Sequence, residues 1–233
     1  MSPEPAAPID NAVRDFWREL RERMSASVPK TALPEQSAGA LRAIALDEDL
    51  PARFAATAQA AGCQVHHATD RDWLAIVREI LRGHSAHKVV VEPLPGTALT
   101  ADCAATLREA LLADNIAAVR DRDDETLFAA DAAITGVRGA IAETGTLICA
   151  SGESTARGTT LIPPVHIALV AASQIVADLF DAFELLGIWD ELPANVNLIT
   201  GPSKTADIEG ILVTGVHGPG TVHVVLLQGE EAP

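Results

Sequence analysis

The chain has no tyrosine, only 3% aromatic residues, and 17 Lys and Arg against 32 Asp and Glu among its 233 residues. A formal charge of -15 repels phosphate backbones and anionic membrane surfaces. The shortage of aromatics removes the stacking platforms on which single-stranded nucleic acids are held. Nucleic acid is therefore not an expected partner. Cysteine is also scarce: Cys63, Cys103 and Cys149 are widely spaced and form no CxxC pair. That pattern excludes a disulfide framework, a zinc ribbon and an iron–sulfur cluster held by this chain. Long apolar runs are missing too. The longest, Val165 to Leu179, is interrupted by His166, Ser173, Gln174 and Asp178, and so falls short of the roughly 18 residues of a membrane span. The opening "MSPEPAAPID" carries acids and prolines where a signal peptide has basic residues and an apolar block. A cytoplasmic protein without a membrane span is the expectation.

What is present is ample apolar material, 48% of the chain, enough for a full core. Ile9, Val13, Phe16, Trp17, Leu20 and Met24 recur at helical spacing and predict an amphipathic helix over about 9–24. The irregular stretch Ser25 to Ala40 follows as a linker, so residues 1–40 read as an arm and 41–233 as one domain. The arm's apolar face either docks on its own domain or is offered to a partner. From about residue 50 short apolar runs alternate with helical segments. Helices are expected at Pro51–Ala61, Asp72–Arg82, Ala101–Ala113 and Ser173–Leu186, with a short one after Ser203. Strands are expected at Gln64–Ala68, His87–Glu92, Ile116–Val119, Ala132–Val137, Thr146–Ala150, Val165–Val170, Val196–Thr200 and Val222–Leu227. This alternation predicts an α/β fold with a mostly parallel sheet flanked by helices. In such a sheet ligands are expected beyond the carboxyl ends of the strands.

Three loops hold the candidate chemistry. "GAIAETGTLICASGESTARG" places Glu143, Thr144 and Gly145 before a strand and Arg157 after it. Exposed N–H groups beside a guanidinium suit a carboxylate or phosphate, and Glu143 is a candidate base or nucleophile. A decorated tight turn explains the same residues without function. "GPSKTADIEG" offers Ser203 as a helix N-cap, with Asp207 and Glu209 in the first turn, where the helix dipole favours negative charge. Lys204 opposes that dipole and suggests an anion nearby. The Walker A pattern needs glycine before its lysine, where Ser203 stands, so a P-loop is excluded. "GVHGPG" fixes His217 in a turn before Pro219, as a catalytic group or as a donor to a backbone carbonyl. No GxGxxG opens a βα unit, and neither the adjacent His66 and His67 nor His84 and His87 make a convincing metal pair.

The combination "AETGTL", "IPPVHIALV" and "ITGPSKTADIEGILVTGVHGPG" resembles the LUD-domain family, and within it the lactate-utilisation C group. The resemblance runs from about Leu50 to Leu227 and is most specific between Thr200 and Gly220. It implies a fold similar to the sugar-phosphate isomerase, glucosamine-phosphate deaminase and CoA-transferase group. It also implies a part in L-lactate oxidation to pyruvate, with iron–sulfur clusters in partner subunits and no cofactor or metal in this chain. Glu143, Thr144 and Gly145 match one family turn, Ser203, Lys204, Thr205, Asp207 and Glu209 a second, and His217 a third. Glu143, His217 and Lys204 are thus the catalytic candidates. Thr144, Gly145, Arg157, Ser203, Thr205 and Asp207 are the candidates for binding substrate or anion. A non-redox subunit that binds a small carboxylate or phosphate, a stand-alone isomerase or CoA-transferase-like enzyme, and a non-catalytic assembly subunit all stay open.

Overall fold

The computed structural model describes residues 19, 49–92, 101–120, 123–152, 155–187, 193–208 and 211–228. The chain divides into two units, Met1–Leu41 and Arg42–Pro233. Of the predicted N-terminal helix only Glu19 is described, as an exposed helical residue; the rest of the arm lies outside the described residues.

In chain order the second unit contains α1 (Leu50–Ala61), β1 (Gln64–Ala68), α2 (Trp73–Gly83), β2 (Lys88–Val91), α3 (Ala101–Ala113), β3 (Ala117–Val119) and α4 (Asp124–Phe128). There follow β4 (Ala132–Gly136), β5 (Gly139–Ile141), β6 (Thr146–Ser151), a 3-10 turn at Arg157–Thr160, β7 (Val165–Ala171) and a second 3-10 turn at Ala172–Gln174. The last elements are β8 (Ile175–Val176), α5 (Leu179–Gly187), β9 (Asn195–Ile199), β10 (Lys204–Ile208), β11 (Ile211–Thr214) and β12 (Thr221–Leu227).

Six strands form a parallel sheet in the order β1-β12-β7-β4-β2-β3. A second, mixed sheet runs β8-β5-β6-β9, and β10 with β11 makes a separate antiparallel hairpin. Burial on both faces accounts for the continuous apolar strands. On one face α2 and α3 pack Trp73, Val77, Leu81, Leu107 and Leu111 against Val89, Ile134, Ile167 and Val225. On the other, Phe54 and Ala58 of α1 join Ala140 and Leu147 of the second sheet against Ala168, Val170, Val224 and Leu226.

Helix α1 has defined ends. Asp49 caps its start by accepting the Ala52 N–H at 3.0 Å. Its end closes on Gly62, whose φ of 103° is left-handed, while the Cys63 N–H reaches back to the Ala58 carbonyl at 2.9 Å.

Two expectations are corrected. The segment after Ser203 is not a helix but β10, whose partner is β11 with Lys204 opposite Thr214 and Thr205 opposite Val213. The segment Ile211–Thr214, three of whose four residues are β-branched, offers pairing that outweighs the local capping pattern. The long helix expected over Ser173–Leu186 is split into a 3-10 turn, β8 and α5, because Ile175 and Val176 pair with Ala140 and Ile141 of β5. Strands β5, β8 and β11 and the short helix α4, too short to show a period, were not expected at all.

Candidate functional site

Two of the signature turns, those of Gly145 and Gly201, meet the last turns of α1. Gly145 has φ of 67°, and a Cβ there would lie 2.3 Å from the Ala58 nitrogen and 2.5 Å from the Thr57 carbonyl carbon. Gly201 has φ of 81°, and its Cβ would lie 2.4 Å from the Ala61 oxygen. Both positions therefore require glycine, for backbone conformation and for close approach to the helix. The Glu143 turn is tied down on either side: Thr57 donates its hydroxyl to the Ala142 carbonyl at 2.8 Å, and the Glu143 N–H donates to the Ala177 carbonyl at 2.9 Å. A chain of hydroxyls joins this turn to the next, Thr144 to Thr146 at 2.6 Å and Thr146 to Thr200 at 2.7 Å.

Lys204 has a different role from the one its sequence position suggested. With no helix following Ser203, there is no dipole for it to oppose. Its ammonium instead donates to the Ala61 carbonyl at 3.0 Å, across 143 residues of sequence. A cation at a helix C-terminus is favourably placed, so the lysine completes the cap of α1. Ser203 is likewise no N-cap: its N–H donates to the Pro219 carbonyl at 2.9 Å and its carbonyl accepts the Gly215 N–H at 2.9 Å. These bonds lace the Ser203 turn to the turn that carries His217. Gly218 faces Ser203 and allows that approach, since its Cβ would stand 3.2 Å from the serine Cβ.

Glu143 is half-buried, whereas Thr144, Lys204 and His217 are exposed, and Thr205 is half-buried on β10. The side chain of Asp207 and the whole of Glu209 lie outside the described residues. Arg157 is not brought to the others. It opens the 3-10 turn that packs on β4, β6 and α4.

The place of the cluster differs from the expected one. The Gly220 N–H donates to the Pro164 carbonyl at 3.0 Å, just before β12 and β7 begin, and α1 ends just before β1. The signature turns thus sit at the amino ends of the parallel strands. The turns at Glu143 and Thr200 do follow strands, but strands of the second sheet.

Neither buried cysteine is poised as a nucleophile. Burial pushes the Cys63 thiol up, against the lowering influence of the Gly201 N–H and Lys204, and pushes Cys149 up to about 12. His166 is fully buried on β7, its Nε2 2.9 Å from the Thr135 hydroxyl and its Nδ1 without a partner; burial lowers its pKa to about 4.

A second group of titratable residues carries no sequence signal. His66 Nε2 lies 3.0 Å from His223 Nδ1, and His223 Nε2 lies 2.8 Å from His84 Nε2. His66 and His223 are 157 residues apart, so no local pattern joins them. The three imidazoles line an open cavity of about 450 Å³ between β1, β12 and α2, with Gln64 and Glu79, and with Ile76 and Ile80 as apolar walls. His223 presents a different nitrogen to each neighbour, which makes a hydrogen-bonded chain rather than nitrogens converging on a metal. Among the described residues no group of three His, Cys, Asp or Glu is arranged to hold a metal ion. Burial first, then its two imidazole neighbours, hold His223 below its ordinary range.

Comparison with known proteins gives consistent results. Residues 51–227 match the family model described as LUD domain. An uncharacterized protein of Neisseria meningitidis serogroup B is 32% identical over 173 residues, 71% of this chain and 72% of that one. Lactate utilization protein C 1 of Bacillus mycoides is 40% identical over 105 residues, 42% of this chain and 45% of the relative. Lactate utilization protein C of Bacillus subtilis is 36% identical over 108 residues, 42% and 44% of the two chains. The chain thus spans less than half the length of these two lactate utilization proteins. The crystal structure of a DUF162 family protein from Deinococcus radiodurans superposes with a TM-score of 0.52 at 23% identity, over 76% of this chain and 96% of that one, which establishes a shared fold.

Proposed function

The chain belongs to the LUD-domain family, and from that premise we propose that it is a component of an L-lactate utilisation system that holds a small carboxylate at its signature turns. The observation that carries this reading is that the Glu143 and Ser203 turns, far apart in sequence, meet on the end of α1, with the His217 turn laced to the second of them. There Thr144, Lys204 and His217 are exposed around glycines that admit nothing larger.

The chemistry asks for two things, an anion clamp and a proton acceptor. Lys204 gives one of its three N–H groups to Ala61 and keeps two for a carboxylate. His217 or Glu143 takes the proton of the hydroxyl or of Cα. Conversion of L-lactate to pyruvate releases two electrons and two protons. The electrons need an acceptor, and iron–sulfur clusters in partner subunits are the class proposed.

The test is calorimetric titration of the full chain with L-lactate, together with affinity co-purification from its native cells, in which iron–sulfur proteins are sought in the captured material. Binding that weakens at least tenfold in Lys204→Ala and His217→Ala supports the reading. No heat with L-lactate and no co-purifying partner would sink it.

A further inference from the structure

At the opposite end of the sheet two arginines stand together with no counter-ion among the described residues. Val91 closes β2, and its carbonyl accepts a long bond of 3.4 Å from Arg108 Nη2 on α3. The register pairs Val90 with Val119, which sets Arg120, the next residue, beside Val91. Ala118 packs with the cluster under α2 and α3, whereas Val119 packs on the other face. By strand alternation Arg120 therefore emerges on the same side as Arg108.

The Arg108 guanidinium is unfinished. Its Nε is buried with no hydrogen-bond partner, and burial together with the charge of Arg120 disfavours its charged form. An orphan donor on a permanently charged group marks the place of a missing acceptor. Among the described residues three acids of these elements are engaged elsewhere, and Glu109, beside Arg108 on α3, is exposed. Glu92 turns to the opposite face, where its carboxylate accepts the Ala156 N–H at 3.1 Å and the Thr159 hydroxyl at 2.6 Å. Asp114 pairs with Arg78 and Arg82, and Asp123 caps α4 through Thr126. In a chain with 32 acidic residues and 17 basic ones, two adjacent guanidiniums that no carboxylate of the described residues meets need a physical reason.

We propose that Arg108 and Arg120 form a site for a small oxyanion, a carboxylate or a phosphate, at the carboxyl ends of β2 and β3. A guanidinium fork matches two oxygens of such a group, and Arg120 supplies a second charge from the neighbouring strand. The carboxyl ends of an open parallel sheet are also where ligands of this fold class bind. This site is separate from the signature turns and does not depend on the lactate reading.

The experiment is calorimetry and thermal melting of the full chain with inorganic phosphate in one arm and pyruvate in the other, at constant ionic strength set with chloride. At least one anion is expected to bind and to raise the melting midpoint. Arg108→Gln and Arg120→Gln should each weaken it tenfold or more, while Arg71→Gln, at an exposed position, leaves it unchanged. Lys204→Ala should retain the binding, which separates this site from the signature turns. Arg120 is exposed, so its variant is expected to fold as wild type and keeps the test valid should Arg108→Gln melt early. The proposal is overturned if neither anion binds, or if binding survives in a folded Arg120→Gln chain at wild-type strength.

Discussion

Replacing Gly145 by alanine places a methyl carbon 2.3 Å from the Ala58 nitrogen and 2.5 Å from the Ala58 Cα, in a residue whose φ is 67°. The left-handed conformation costs an L-residue about 1–2 kcal/mol. The overlap adds about 1–3 kcal/mol, because helix backbone must move rather than a flexible side-chain end. Gly145→Ala is therefore expected to lose about 2–5 kcal/mol, read by urea titration at constant slope. In a domain of this size that corresponds to a melting midpoint lower by roughly 5–15 °C. Gly83→Ala is the control: nothing lies within 4 Å of its Cβ, and at the end of α2 the change should be neutral or gain up to about 1 kcal/mol. The same displacement pulls on the Thr57 and Glu143 hydrogen bonds, so L-lactate binding should fall with stability. A Gly145→Ala chain as stable as wild type but unable to bind would refute the packing argument. It would mean that the glycine makes room for ligand, not for α1.

Three further expectations can be checked directly. His166 is neutral in the fold, with a pKa near 4 against the ordinary 6.5, so the unfolded chain binds the proton first; its contribution is whole above pH 6.5 and falls away towards pH 4. That amounts to about 3 kcal/mol, and His166→Gln should flatten this part of the stability curve measured by urea titration between pH 4 and 8. His66→Gln should remove one of the two imidazoles that hold His223 down, and proton NMR titration should then show His223 moving up while burial keeps it below the ordinary range. Lys204→Ala should cost under about 1 kcal/mol of stability as a lost C-terminal cap, so a larger loss in thermal melting would mean that its bond to Ala61 is not a simple cap.

Much of the fold was legible in order of residues alone. Strand Gln64–Ala68 and helix Ala101–Ala113 fall where their periodicity and breakers placed them, because burial on both faces or on one stripe writes itself into local sequence. The signature glycines likewise announced irregular turns. Where the reading failed, a partner distant in sequence decided the outcome. Ser203 and Asp207 had good helix-start chemistry, yet Ile211–Thr214 made the segment a strand. Ile175 and Val176 lay within a helical pattern, yet β5 took them into the second sheet.

The sequence by itself determined the α/β class, the six strands of the parallel sheet with the first three helices, and the family, since each rests on local period or on contiguous motifs. Tertiary structure decided which end of the sheet the motifs occupy, that Lys204 caps a helix ending at Ala61, and that His66, His84 and His223 form one chain. It also put Arg108 beside Arg120. The reason is register. Parallel strands are joined by long crossovers, and which residues stand opposite one another is set by the packing of the whole sheet rather than by any one segment.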